Sequence, residues 1–131
     1  MRLLLDTHIA LWAIADDPKL SAKARRLIDD PDNQIVISAA SVWEIAIKYA
    51  LARGGPNDLP CSSEAALGYF RAAEFDLLDV SPAHAALVET LAPLHADPFD
   101  RILVAQALSV PLRLMTHDPR VAAYSDTVML V

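Results

Sequence analysis

The apolar positions of this chain recur in two rhythms. Leu3, Leu4 and Leu5 are consecutive, the pattern of a strand buried on both faces, and the run stops abruptly at Asp6. Ile9 to Ala15 reads as a helix, and Asp16-Asp17-Pro18 as a loop. Ser21 caps a second helix through Asp30, with Leu20, Ala24, Leu27 and Ile28 as its buried stripe. Past the turn Pro31-Asp32-Asn33, Gln34 to Ser38 is a β-branched strand. A long helix capped by Ser38 or Ser41 follows to about Ala52, ended by Gly54-Gly55-Pro56-Asn57. Ser62 and Ser63 precede a helix through about Ala73, and Phe75 to Val80 is a weaker strand flanked by acids. Ser81-Pro82 opens the next helix. Pro93 and Pro98 bracket a loop, and Phe99 to Leu108 is a nearly all-apolar helix. Arg113 to Thr116, a short helix from Asp118-Pro119, and Val128 to Val131 complete the series.

Strands alternating with helices pair in parallel through right-handed crossovers. The predicted fold is therefore α/β, a three-layer α/β/α sandwich with a central parallel sheet of about five strands. With 131 residues and no linker or repeat, the expectation is one domain over residues 1–131. An apolar share of 54% excludes disorder. Charges interrupt every apolar run before the roughly 18 residues of a membrane span. Asp6 also sits where the apolar region of a signal peptide would begin. Cys61 is the single cysteine, which suits a reducing cytoplasm and leaves no intramolecular disulfide.

A net charge of −6 argues against broad electrostatic binding of nucleic acid. It does not argue against acids gathered around a cation, which reverses the local field. Four acids stand where this topology places them at one edge. Asp6 ends the first strand, and in an open α/β sheet ligands bind beyond the carboxyl ends of strands. Asp118 follows the fourth strand, although as a cap before Pro119 it has an equally good structural reading, the better one for Asp118 alone. Glu44 lies one to two turns into the helix after the second strand. Lys48, four residues on, makes it a candidate surface pair, yet Ala40, Ile47 and Leu51 place it beside an apolar stripe. In His95-Ala96-Asp97-Pro98-Phe99-Asp100-Arg101, Asp97 reads as a cap that can pair with Arg101. Asp100 heads the stripe Leu103, Val104, Ala107 and Leu108, where a carboxylate needs a partner.

Four converging carboxylates repel one another unless a cation sits among them. Hard oxygen donors suit Mg²⁺ or Mn²⁺, and no Cys cluster or regular His pair suggests zinc. His8, His95 and His117 read as loop or capping residues. The two tryptophans, Trp12 and Trp43, read as core, with apolar surface near them as a possible seat for a partner's helix. A carboxylate site holding such ions activates water for in-line phosphoryl displacement, which is nuclease-like chemistry.

The stretches LLLDTH, SVWEIAIK (Ser41 to Lys48), HADPFDRILVAQAL (His95 to Leu108) and LMTHD (Leu114 to Asp118) together resemble the successive motifs of PIN-domain proteins, most of all the VapC-type toxins of bacterial toxin–antitoxin pairs. The resemblance runs from Met1 to about Tyr124. It implies a Mg²⁺- or Mn²⁺-dependent endoribonuclease, commonly a homodimer, acting on RNA and neutralised by a cognate antitoxin. Carried over residue by residue, the family's acidic site falls on Asp6, Glu44, Asp100 and Asp118, with Thr7 and Thr116 as supporting hydroxyls. The stretch Arg53 to Ser63 is more irregular than the family pattern. The competing reading is a catalytically silent PIN-like module that works through protein contacts. A phosphatase of similar fold would want an aspartyl nucleophile with a dedicated lysine, and the lysines are only Lys19, Lys23 and Lys48.

Overall fold

The computed structural model describes residues 1–56 and 58–131, so the part of the predicted helix stop that falls on Asn57 lies outside the described residues. Five strands form one parallel sheet: β1 (Arg2–Leu5), β2 (Gln34–Ser38), β3 (Asp76–Leu78), β4 (Arg113–Thr116) and β5 (Met129–Leu130). Their order is β3-β2-β1-β4-β5, so the chain starts in the middle and winds outward to both edges. The helices are α1 (Thr7–Ala15), α2 (Ala22–Asp29), α3 (Ala39–Ala50), α4 (Ser63–Ala72), α5 (Pro82–Leu87), α6 (Pro98–Ser109) and α7 (Pro119–Ala122). A single 3₁₀ turn, Val88–Thr90, follows α5. No helix among the described residues is long and apolar enough to cross a membrane.

The unbroken apolar runs of β1, β2 and β4 arise because each face of the sheet has its own core. Leu3, Leu5, Ile35, Ile37 and Met115 point to one side, against Ile9 and Leu11 of α1, Ala24 of α2, and Ala66 and Phe70 of α4. Leu4, Val36 and Leu114 point to the other, against Leu103, Val104 and Ala107 of α6 and Val121 of α7. Successive strand residues face opposite ways, so a strand covered on both sides has no position left for a polar residue. Helix α3 serves both cores, giving Ile45 to the first and Ala40 to the second.

The edges are shorter than the pattern suggests. Residue Glu74 adopts φ 61°, in the left-handed region, and only Asp76 to Leu78 pair with β2. The strand expected over Phe75 to Val80 is thus cut at both ends. Helix α3 stops at Ala50, and Leu51 beyond it is exposed, so Leu51 takes no part in the apolar stripe expected beside Glu44.

Candidate active site

The register of β1 on β4 pairs Leu5 with Met115 and brings Asp6, just past the end of β1, beside Thr116, the last residue of β4. The Asp6 amide donates to the Met115 carbonyl at 3.0 Å. Both carboxylate oxygens of Asp6 are held: Oδ1 accepts the His8 amide at 2.8 Å, and Oδ2 accepts the Thr116 hydroxyl at 2.8 Å. Asp6 is therefore a helix cap and a site residue at once, and only 3% of it is exposed. Thr7, also buried, donates its hydroxyl to Ser41 Oγ at 2.9 Å, which ties the start of α1 to α3.

Ser38 ends β2 and caps α3, fixing where that helix starts and so where its second turn points. Glu44 lies there, 2% exposed. Its Oε2 is hydrogen-bonded by the Lys48 ammonium at 2.5 Å, the expected i, i+4 pair, but with a buried carboxylate instead of a surface one. Burial works against the charge on Lys48. The hydrogen bond and negative charge of Glu44, with Asp97 and Asp100 behind them, outweigh burial and raise the lysine's pKa. The other oxygen, Glu44 Oε1, is buried with no hydrogen-bond partner among the described residues.

Asp97 caps α6, accepting the amides of Phe99 at 2.8 Å and Asp100 at 3.3 Å. The expected surface pair of Asp97 with Arg101 does not form. Arg101 instead folds under the preceding loop, donating to the carbonyls of Val88, Leu91, Ala92 and His95 and to the Tyr124 hydroxyl. A guanidinium offers five donors, and a looped backbone with unpaired carbonyls satisfies more of them than one carboxylate does. Tyr124 in turn accepts the His95 amide at 3.1 Å, so the loop is fastened from two sides.

That loop sets His95, whose side chain is 7% exposed, against Asp100: Nε2 lies 2.7 Å from Oδ2. His95 is thus the partner that the position of Asp100 on an apolar stripe demands, and not a free loop residue. Burial, opposed by the His95 hydrogen bond and helped by the carboxylates of Asp6, Asp97 and Glu44, pushes the Asp100 carboxyl up to about 6. Among the described residues, His95, Asp97 and Asp100 are the group whose ligand atoms all lie within 4.8 Å of one another. Asp6 and Glu44 are near enough to act on Asp100 by charge but are not part of that tight group.

Asp118 stands further out. It caps α7, as its structural reading anticipates, and both oxygens face Arg120, Oδ1 accepting from the amide and Nε and Oδ2 from the guanidinium. The Arg120 hydrogen bond holds its pKa below the ordinary carboxylate range. Its link to the other acids runs through His95, 3.9 Å from Asp118 Oδ2. Trp43 is also placed differently from the core position expected for it: it is 62% exposed, edge-on to Phe99 with centroids 5.1 Å apart. Trp12 is half-buried against the first core. His8 and His117 pack their rings on Trp12.

The donor set, oxygen-rich with one imidazole, fits a hard divalent cation. Glu44 Oε1, buried with no hydrogen-bond partner among the described residues, and the carboxylates crowding Asp100 are features that such a cation would complete. A family model described as PIN domain matches residues 3–126. The chain belongs to the PIN domain family. No curated protein sequence matches it. Among solved structures, this PIN domain is similar to VapBC2 from Rickettsia felis bound to a DNA fragment from its promoter, with 17% identity, TM-score 0.70, and coverage of 100% of this chain and 98% of that one. DNA-bound VapBC from Salmonella typhimurium gives 15% identity and TM-score 0.66 over 100% and 97% of the two chains. FitAcB from Neisseria gonorrhoeae gives 18% and 0.61 over 98% and 96%. At these identities the likeness is one of fold.

Proposed function

We propose that this PIN domain is a Mg²⁺- or Mn²⁺-dependent endoribonuclease, the toxin of a cytoplasmic toxin–antitoxin pair. The observation that carries this reading is the crowding of Asp100 by Asp6, Glu44 and Asp97, with one Glu44 oxygen buried and unpartnered. Asp6, Glu44 and Asp100 would hold the ion, with Asp118 assisting. When bound, a divalent cation acidifies water and stabilises the charge that builds on a phosphate under in-line attack.

The chain's own residues supply the rest. Thr116 and the His8 amide fix the Asp6 carboxylate in one orientation, so no ordering is needed when ligands arrive. His95 Nε2, hydrogen-bonded to Asp100 Oδ2, holds that carboxyl in one orientation. Lys48 pairs with Glu44 and offsets part of the acidic cluster; a divalent cation held there would compete with the ammonium for that carboxylate. The structural neighbours named as VapBC complexes support a cognate antitoxin as partner, and a homodimer is proposed on the sequence resemblance alone.

The alternative, a silent binding module, draws on a specific observation: within the chain Lys48 already pairs with one oxygen of Glu44, and Arg120 with both oxygens of Asp118. Incubating the purified protein with mixed RNA in Mn²⁺, in EDTA, and as Asp6→Asn separates the two. Cleavage only in wild type with Mn²⁺ supports the nuclease. Cleavage that survives EDTA or Asp6→Asn, or no cleavage at all, sinks it. Expression with and without the neighbouring reading frame tests the toxin assignment, which equal growth with active protein in both cases would overturn.

A further inference from the structure

Beside the carboxylate edge lies a cleft of about 510 Å³ that the acidic site does not use. Its wall is a cluster of three rings: Trp12 and His117 are 4.9 Å apart, His8 and His117 5.5 Å, and His8 and Trp12 6.0 Å. Both imidazoles are exposed and Trp12 is half-buried, so ring faces remain open to a ligand. The cleft is tied to the site by the backbone. His8 donates its amide to Asp6, and His117 sits between Thr116, which binds Asp6, and Asp118. Lys19, Asp17 and Asp58 share the rest of the lining with apolar residues such as Leu11 and Leu59.

We infer that this cleft receives an unpaired nucleobase of the RNA strand, next to the phosphate presented to the acids. The inference rests on the nuclease reading and names how that substrate is gripped. The volume is in the range of small-ligand pockets, about 300–1,000 Å³, and suits one base with its sugar. A protein of net charge −6 has little bulk attraction for a polyanion, so affinity must come from contacts that do not depend on charge. Stacking on aromatic rings is such a contact, available in single strands and denied to paired bases. Lys19 offers one local cation for a flanking phosphate. The carboxylates of Asp17 and Asp58 accept hydrogen bonds from an exocyclic amine, which favours adenine, cytosine or guanine over uracil.

The test uses the emission of Trp12 in a Trp43→Phe protein, in EDTA, titrated with a short single-stranded oligoribonucleotide of mixed sequence. An otherwise identical strand made abasic has the same charge and no bases to stack. The intact strand should quench Trp12, and the abasic strand should bind about tenfold more weakly, the scale of base–aromatic stacking. By anisotropy of a labelled strand, Trp12→Ala and His117→Ala should each lose several-fold to about tenfold in affinity, with Trp12→Phe near wild type. His117 is exposed, so that variant carries the test even if Trp12→Ala does not fold. Equal binding of intact and abasic strands, no binding, or unchanged affinity in His117→Ala overturns the pocket. So does a Trp12 response to a co-expressed partner protein with none to RNA. Cleavage in Mn²⁺ alongside any of these results leaves the nuclease standing without the pocket. Base-dependent quenching in a protein that cleaves nothing leaves the pocket standing without the nuclease.

Discussion

The hydroxyl of Thr116 donates to Asp6 Oδ2 across 2.8 Å, joining the ends of the two central strands by residues 110 apart in sequence. Neither group is exposed, so neither has water to turn to. Removing the hydroxyl in Thr116→Val should leave a buried carboxylate oxygen unpaired and cost about 1–3 kcal/mol in metal-free protein. Denaturant unfolding in EDTA measures it. A Thr116→Val protein as stable as wild type would show that the bond adds nothing to the fold.

Asp97 and Asp100 are three residues apart and should behave differently. Asp97 accepts two amides at the head of α6, so Asp97→Ala should cost about 0.5–2 kcal/mol, the scale of a lost cap, and leave most activity. Asp100 makes its side-chain contact with His95 and faces the other acids, so Asp100→Asn should lose activity in a folded protein. Paired melts and RNA cleavage assays decide. Loss of cleavage in folded Asp97→Asn, with activity kept in Asp100→Asn, reverses the assignment.

Lys48 should be a structural counter-ion. Its removal in Lys48→Met leaves the buried Glu44 carboxylate without the hydrogen bond it receives from the ammonium, a change expected to be strongly destabilising without metal, on the order of 3 kcal/mol. Mn²⁺ should recover part of that loss by taking over the ammonium's role. Equal metal-free stability of Lys48→Met and wild type would place Glu44 in a wetter setting than its burial indicates.

Much of this was legible in the chain, for reasons that can be named. Leu3 to Leu5 announced a strand covered on both faces because a parallel sheet leaves no polar side, and Asp6 stood out because it ended that run. Asp100 read differently from Asp97 because helical period sets it at the head of Leu103, Val104 and Ala107, which are buried, although Leu108 of the same predicted stripe is exposed and the fold brings both acids to His95. His95 was not separable, since periodicity says nothing of where a loop residue points; the fold brings it to Asp100 through Arg101 and Tyr124. Arg101 itself misled for the same reason. Spacing of four suggested Asp97, while the loop's carbonyls made the better offer. Trp43 sits two residues from the buried Ser41 and one from Glu44, and composition cannot tell which helix face lacks a neighbour.

The pH dependence of metal-free stability follows from Asp100, whose carboxyl is pushed up from 3.8 to about 6, first by burial and then, against His95, by Asp6, Asp97 and Glu44. An acid with a raised folded pKa binds its proton more tightly when folded. Its stabilising contribution is therefore fully present below 3.8 and lost as pH rises through about 6. Metal-free wild type should grow more stable as pH falls through that window, relative to Asp100→Asn, in which the group cannot ionise. Subtracting the two pH profiles cancels titrations common to both. A difference that stays flat, or one of opposite sign, would mean Asp100 is ionised without strain.

The same crowding sets the response to metal. At neutral pH Asp100→Asn removes one of several mutually repelling carboxylates, so its metal-free melting temperature should exceed that of wild type. Mg²⁺ or Mn²⁺ binds only the folded site, and should stabilise wild type by about 2.7 kcal/mol at a hundredfold excess over its dissociation constant. Asp100→Asn should gain far less, because the charge that repels its neighbours is the charge that holds the ion. Glu44→Gln should be blunted too, its unpartnered oxygen no longer part of a carboxylate. Asp118→Asn should respond nearly as wild type, since both Asp118 oxygens already face Arg120 and its approach to the cluster runs through His95. Melts of the four proteins at fixed ionic strength, with NaCl alone as the control for general screening, give the order directly. If Asp100→Asn melts below wild type without metal and all four respond equally to Mn²⁺, the acids are caps and pairs, and they hold no ion.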